Sequence, residues 1–163
     1  MVRYLALLTF FFLIISCQNS KTINLNKYTL SKNSIYVDVV QKNILSNYSS
    51  DDIYSNLTND YILDWVNHRI KTNGYNGDLL IRIDSISVDE IKITNGIKIN
   101  INVNISFIIS RSVLDNKIII TLNGNEYGQI TGNYSIDDKS IEVENTIKRL
   151  IDKLSLKLSS ELY

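Results

Sequence analysis

The sequence predicts an α+β domain: a mainly antiparallel sheet of about four strands with two helices packed on one face, in the order β-α-β-β-β-α. Three observations lead there. Residues 96–110, GIKININVNISFIIS, alternate apolar and polar side chains without a break, which is the period of a strand with one buried and one wet face. Two other segments, 58–73 and 141–162, repeat their apolar residues every three or four positions, which is the period of a helix. Polar, Asn-rich and Gly-containing breaks separate these runs, and the simplest packing lays both helical stripes on the apolar side of the sheet.

In chain order, SIYVDVV at Ser34–Val40 is β-branched and aromatic and suits a strand. SNYSSDDIYSN then breaks the pattern and reads as a loop. From residue 58 the apolar positions Leu57, Tyr61, Trp65, Val66 and Ile70, with Arg69, recur at helical spacing, with Thr58 or Asn59 as the cap and Gly74 just past the end. Residues 79–93, LLIRIDSISVDEIKI, alternate through Leu79, Ile81 and Ile83 and then slip phase to Ile86 and Val88, so a β-bulge is expected near Asp84 or Ser85. In the long strand that follows, Ile97, Ile99, Ile101, Val103, Ile105, Phe107 and Ile109 share one face. Lys98, Asn100, Asn102, Asn104 and Ser106 share the other, which is either plain solvent surface or a docking face.

LDN at 114–116 turns the chain, and KIIITLNGNEYGQITGNYSI supplies one long or two short strands, with Gly124, Gly128 and Gly132 expected at turns, bulges or a sheet edge. The four-residue spacing of those glycines matches the GxxxG motif of apolar helices, but in this setting it is assigned no function. The last element is a helix carrying Val143, Ile147, Leu150, Ile151, Leu154 and Leu158 as its stripe. Ser140 is the expected cap, and Glu142 and Glu144 precede Lys148, Arg149, Lys153 and Lys157, an order that suits the helix dipole.

A chain of 163 residues with 44% apolar and 21% charged residues has the make-up of one packed domain. Seventeen basic residues balance seventeen acidic ones, so no net positive field gathers nucleic acid, and none is expected as a partner.

The N-terminus carries an address. Arg3 precedes YLALLTFFFLII, a run ending at Ile15 that is too short to span a bilayer, which takes about 20 residues, and has the length of a signal-peptide core. The next residues complete IISC, residues 14–17, and Cys17 is the only cysteine in the chain. This resembles the lipobox of bacterial lipoproteins, with Ile and Ser where Leu and Ala or Gly are commoner. The resemblance implies that Cys17 is acylated, that the bond before it is cut, and that Cys17 becomes the mature N-terminus.

Division of the chain follows: 1–16 signal peptide, 17–33 lipidated N-terminus and tether, 34–163 a single periplasmic domain. Cleavage leaves sixteen basic against seventeen acidic residues and, with Cys17 acylated, no free thiol, so no disulfide is expected. More than one acyl chain makes a stable anchor. Gln18, rather than Asp, follows the cysteine, which by resemblance implies the periplasmic face of the outer membrane.

Chemistry is sparse. His68 is the only histidine and lies off the apolar stripe, so a multi-histidine metal site is excluded and a surface role expected. Trp65, on the stripe, is expected in the core. No Gly-x-Ser-x-Gly elbow, Walker A loop or dinucleotide fingerprint occurs. The carboxylates Asp51, Asp52, Asp84, Asp89, Glu90, Asp137 and Asp138 fall at turns and caps with no spacing that converges them on a pocket. No catalytic residue, metal or cofactor is expected.

The run ILDWVNHRIKTNGYNGDLLIRIDSISVDEIKI, read as helix, Gly turn and strand, resembles small envelope lipoproteins of alphaproteobacteria and YajG-type lipoproteins across about residues 60–162, anchored on Trp65, Arg69, Gly74 and Gly77. In architecture the chain is also similar to LptE of lipopolysaccharide transport, whose mature chains usually begin Cys-Gly-Phe where this one has Cys17, Gln18 and Asn19, and to auxiliary lipoproteins of lipid-transporting ABC systems. These resemblances imply a non-enzymatic accessory that binds an envelope protein partner or, alternatively, a carrier of a lipid or small apolar ligand between helices and sheet.

Overall fold

A computed structural model describes residues 33–46, 48–111 and 116–163. Strand β1 (Ile35–Val37) and β2 (Gln41–Ser46) are followed by helix α1 (Ile53–Arg69), β3 (Ile70–Thr72), the long strands β4 (Asp78–Ile93), β5 (Gly96–Arg111) and β6 (Asn116–Thr131), and helix α2 (Ile136–Leu162). The main sheet has the order β2-β4-β5-β6, with β2 parallel to β4 and the rest antiparallel, while β1 and β3 form a small parallel pair. The α+β class, the dominant antiparallel meander and the two helices agree with the sequence. The turn expected at 114–116 falls largely outside the described residues.

Strand β5 anchors the core. Ile97, Ile99, Ile101, Val103, Ile105, Phe107 and Ile109 are all buried, as are Leu79, Ile81, Ile83 and Ile86 beside them on β4. The phase slip on β4 is real, with the register shifting between Ile83 and Ser85. Helix α1 lays Ile62, Trp65 and Val66 on this surface and α2 adds Val143, Ile147, Leu150, Ile151 and Leu158, all fully shielded from water. Trp65 meets Phe107 edge to face, with ring centroids 6.3 Å apart and planes at 78°.

Several boundaries differ from the sequence expectation. The strand expected at 34–40 is shorter, β1 at Ile35–Val37, and a bend at 38–40 separates it from β2, which was not expected. QKNILS in β2 is polar and half-exposed, so its strand character comes from a non-local parallel partner, β4. Helix α1 starts five residues before Thr58 because Asp52 is the cap, its carboxylate accepting from the Ser55 N–H at 2.7 Å. Thr58 is instead buried inside the helix and donates back to the Tyr54 carbonyl. At the other end, the Lys42 ammonium of β2 donates to the Val66 and Ile70 carbonyls, both at 2.8 Å, answering acceptors that a helix end leaves open. Burial, then the charge of Lys71, lowers the Lys42 pKa.

Helix α2 likewise starts before Ser140. Ser135 and Asp138 form a reciprocal capping box, whose bonds hold the Asp138 carboxyl below its ordinary pKa, and the Ser140 hydroxyl bonds within the first turn.

The β1–β3 and β2–β4 pairs are linked across the bends between their strands. Gly74 N–H donates to the Val39 carbonyl and Val40 N–H to the Gly77 carbonyl, each at 3.0 Å. Gly74 lies against the backbone of the opposite bend, where a Cβ would stand 2.5 Å from the Val39 nitrogen. Gly77 has φ +86°. Of the places expected, Gly124 and Gly128 take a sheet edge: both lie in the middle of β6, a single strand at the edge of the main sheet, and they let α2 sit directly on it. A Cβ at Gly124 would come 2.8 Å from the Leu150 side chain, and one at Gly128 would strike Thr146 and Glu142. Gly132, with φ +82°, does end the strand.

These contacts differ in what can yield. Gly74→Ala must displace backbone and is expected to destabilise by about 1–3 kcal/mol. Gly124→Ala needs only a shift of leucine methyl groups and removes a flexible glycine from a strand, so it should cost less than about 1 kcal/mol. Urea unfolding midpoints of the two variants check the order.

Candidate functional site

Cys17, the lipidation residue the sequence singles out, lies outside the described residues, as do the signal peptide and nearly all of the tether. The remaining chemistry is set out by three surfaces: the outer side of α1, the contact between α2 and β6, and the open face of the sheet.

His68 sits on the exposed side of the last turn of α1. Its Nδ1 lies 2.9 Å from the Asp64 carboxylate and 3.0 Å from the Asp64 carbonyl, an i,i+4 pair with the imidazole largely in water. Among the described residues the pair has no adjoining nucleophile to activate. The carboxylates from the sequence scatter as expected. Asp52 and Asp138 cap helices, Asp84 accepts from Arg82 and Ser106 at 2.5 Å each, Asp89 accepts from Ser87, and Glu90 pairs with Lys139. Among the described residues no group of three or more His, Cys, Asp or Glu side chains could hold a metal ion. No helix among them is long and apolar enough to cross a membrane.

Glu126 is a buried carboxylate that sequence reasoning missed. It points from β6 toward α2, between Gly124 and Gly128, where Lys153 contacts it and the Arg149 Nε stands 3.8 Å away. Arg149 also donates to Glu142 and to the Tyr127 carbonyl, each at 3.1 Å. With its charge answered on both sides, Glu126 fixes the register of helix on strand, and strand alternation is the signal that could have placed it on the inner face.

Tyr61 and Glu144 make a comparable bridge between the helices. The phenol donates to the carboxylate, and its pKa is pushed up to about 12 by burial first, then by the negative charge of Glu144 and the bond to it, with a smaller part from Asp64.

The open face carries a grid of short polar side chains. Ser87 on β4, Asn102 on β5 and Asn125 on β6 stand in register and are hydrogen-bonded in series, Asn125 to Asn102 and Asn102 to Ser87 at 3.2 Å. Tyr127 extends the grid, with the Lys98 ammonium 4.3 Å from its ring centre. The polar row expected from the sequence ends in an apolar one, since Leu80, Ile108 and Ile119 are register neighbours across the same face.

Two surface grooves, of about 330 and about 250 Å³, flank β1 and the end of α2. The larger lies beside Arg69 of α1 and Ser155 of α2, and the smaller opens between the end of α2 at Leu162 and the inner side of the sheet at Ile109, Ile118 and Ile120.

No family model and no curated protein matches the sequence. Among solved structures, the fold is similar to a minor lipoprotein from Acinetobacter baumannii, at 14% identity and a TM-score of 0.42, covering 76% of this chain and 92% of that one. It is similar also to rare lipoprotein B from Shewanella oneidensis, at 11% identity and a TM-score of 0.40 over 75% and 96% of the two chains. A third likeness is to uncharacterized lipoprotein B from Nitrosomonas europaea, at 8% identity and a TM-score of 0.40 over 83% and 90%. At such identities and scores these likenesses assign no function.

The Tyr61 environment has a pH consequence. Because the folded chain keeps this phenol proton to about pH 12 while the unfolded chain loses it near pH 10, the Tyr61 contribution is complete below about pH 10 and fades as pH rises toward 12. The tyrosinate absorbance difference between the wild type and Tyr61→Phe should therefore show one late-titrating phenol, and Tyr61→Phe should flatten the fall in stability over that window.

Proposed function

We propose that this chain is a bacterial lipoprotein anchored through acylated Cys17 at the periplasmic face of the outer membrane, where it acts as a non-enzymatic accessory binding a protein partner in envelope assembly or maintenance. In this reading residues 1–16 are the signal peptide, 17–33 the tether and 34–163 the periplasmic domain. The observation that carries it is the placement of the only cysteine directly after the apolar run, in the register Ile-Ile-Ser-Cys. Acylation would give that thiol a role that the rest of the chain does not supply.

The character of the folded part supports a binding role. Its ionisable side chains serve caps and helix contacts, and its sheet presents an open polar face rather than a cleft. The resemblance to YajG-type lipoproteins and to LptE points to the same class of accessory. The alternative, a carrier holding a lipid or small apolar ligand between helices and sheet, meets a layer in which Ile62, Trp65, Val66, Ile147, Leu150 and Ile151 are fully shielded and mutually packed.

Expression of the full chain in a bacterial host with radiolabelled palmitate tests the anchor. Wild type is expected to incorporate label and to sediment with the outer-membrane fraction. Cys17→Ser is expected to lose the label and to leave that fraction. Label-free wild type, or a Cys17→Ser variant that still sediments with the outer membrane, would overturn the proposal.

A further inference from the structure

We propose that the end of the domain formed by β1 and the last two turns of α2 lies against the lipid surface that holds Cys17. This deepens the anchor reading and rests on it. The first observation is where the tether joins the domain. Fifteen residues separate Cys17 from Asn33, and Asn33 is fixed to the body by the buried Arg69. Arg69 donates from Nε and Nη2 to the Asn33 carbonyl at 3.2 and 2.9 Å, and from Nη1 to the Ser155 hydroxyl of α2 at 3.3 Å. The tether therefore leaves the domain beside the C-terminal half of α2 and nowhere else.

The second observation is what the surface offers at that exit. Leu156 lines the same groove as Asn33 and is 73% exposed. Tyr163, the C-cap, is 88% exposed and lies seven residues later, so the two stand on one side of α2, with Ser159 and Ser160 between them and the carboxylates of Asp152 and Glu161 at the edges of the two grooves. The Tyr163 hydroxyl donates to the Tyr36 carbonyl at 3.0 Å, which joins this side of α2 to β1, and the half-exposed ring of Tyr36 and Ile118 of β6 border the adjoining groove. An exposed leucine bordered by tyrosines, whose rings are apolar and whose tips are polar, fits the boundary between acyl chains and headgroups. The asparagine grid on the open face of the sheet does not.

So few apolar side chains would not hold a free domain on a bilayer. A tether of fifteen residues changes that, because even at full stretch it reaches only about 50 Å and so keeps the patch near the surface at an effective concentration on the order of millimolar. Weak contact then suffices to orient the domain, with the asparagine grid turned away and available to a protein.

The lipidated mature chain holds no free thiol, so one introduced cysteine reports one position. Full-length, lipidated Leu156→Cys, Tyr163→Cys and, on the open face, Asp89→Cys would each carry an environment-sensitive fluorophore in vesicles of phosphatidylethanolamine and phosphatidylglycerol containing spin-labelled quencher lipids. The probes at 156 and 163 should shift to the blue and be quenched severalfold more than the probe at 89. Equal, weak quenching at all three sites in protein that floats with the vesicles would overturn the orientation while leaving the anchor intact. Protein that does not float would contradict the anchor and the orientation together. Shielding of 156 in native envelopes but not in protein-free vesicles would overturn a lipid surface in favour of a protein one.

Discussion

The fold depends on one constraint: the odd-numbered side chains of β5, from Ile97 to Ile109, must be kept from water along nearly the whole length of the strand. A sheet cannot cover its own face, so both helices are drawn to the same side and the opposite side is left polar. Each buried aliphatic side chain contributes about 1.5–3 kcal/mol, and none of the hydrogen bonds or ion pairs described matches the summed effect of that row. A helix of 27 residues, about 40 Å long, spans most of the length of strands of 16 residues, about 50 Å.

The smaller features follow from fitting those layers together. Gly124 and Gly128 let α2 lie close on the edge strand, and Glu126 between them is held by Arg149 and Lys153, which sets the register of helix on strand. Gly74 and Gly77 sit in the bend between β3 and β4, which is bonded to the bend between β1 and β2. Past that bend, β1 leaves the main sheet and runs along the end of α2, where Arg69 ties the start of the domain to Ser155. The chain that leads to Cys17 is thus attached at a defined place.

What could be read from the sequence was what local periodicity encodes. The strict alternation of β5, the phase slip of β4 at Ile83 and Ser85 and the apolar stripes of both helices were legible because burial on one face imposes them residue by residue. Strand β2 was not, since QKNILS has no apolar alternation and is made a strand by pairing with β4. The helix starts were misplaced because Ile53 and Ile136 are both exposed and the first turns carry no stripe. The caps Asp52 and Ser135 were hidden among many other polar residues. That Gly124 and Gly128 make room for α2 was not legible, since their use depends on how closely a distant helix approaches. Of the candidate site, the sequence singled out Cys17, which lies outside the described residues, and placed His68 at the surface. The paired Glu126 and the exit point fixed by Arg69 required contacts between residues far apart in the chain.

Acylation of Cys17 joins these strands of the account, because the anchor, the tether and the orientation all presume it. The direct measurement is the mass of the N-terminal tryptic peptide of the protein purified from bacterial membranes. The account predicts a peptide of residues 17–21 that begins at Cys17 and carries a diacylglyceryl group on sulfur. A peptide with a free thiol at Cys17, or a mature chain beginning at any other residue, would contradict it.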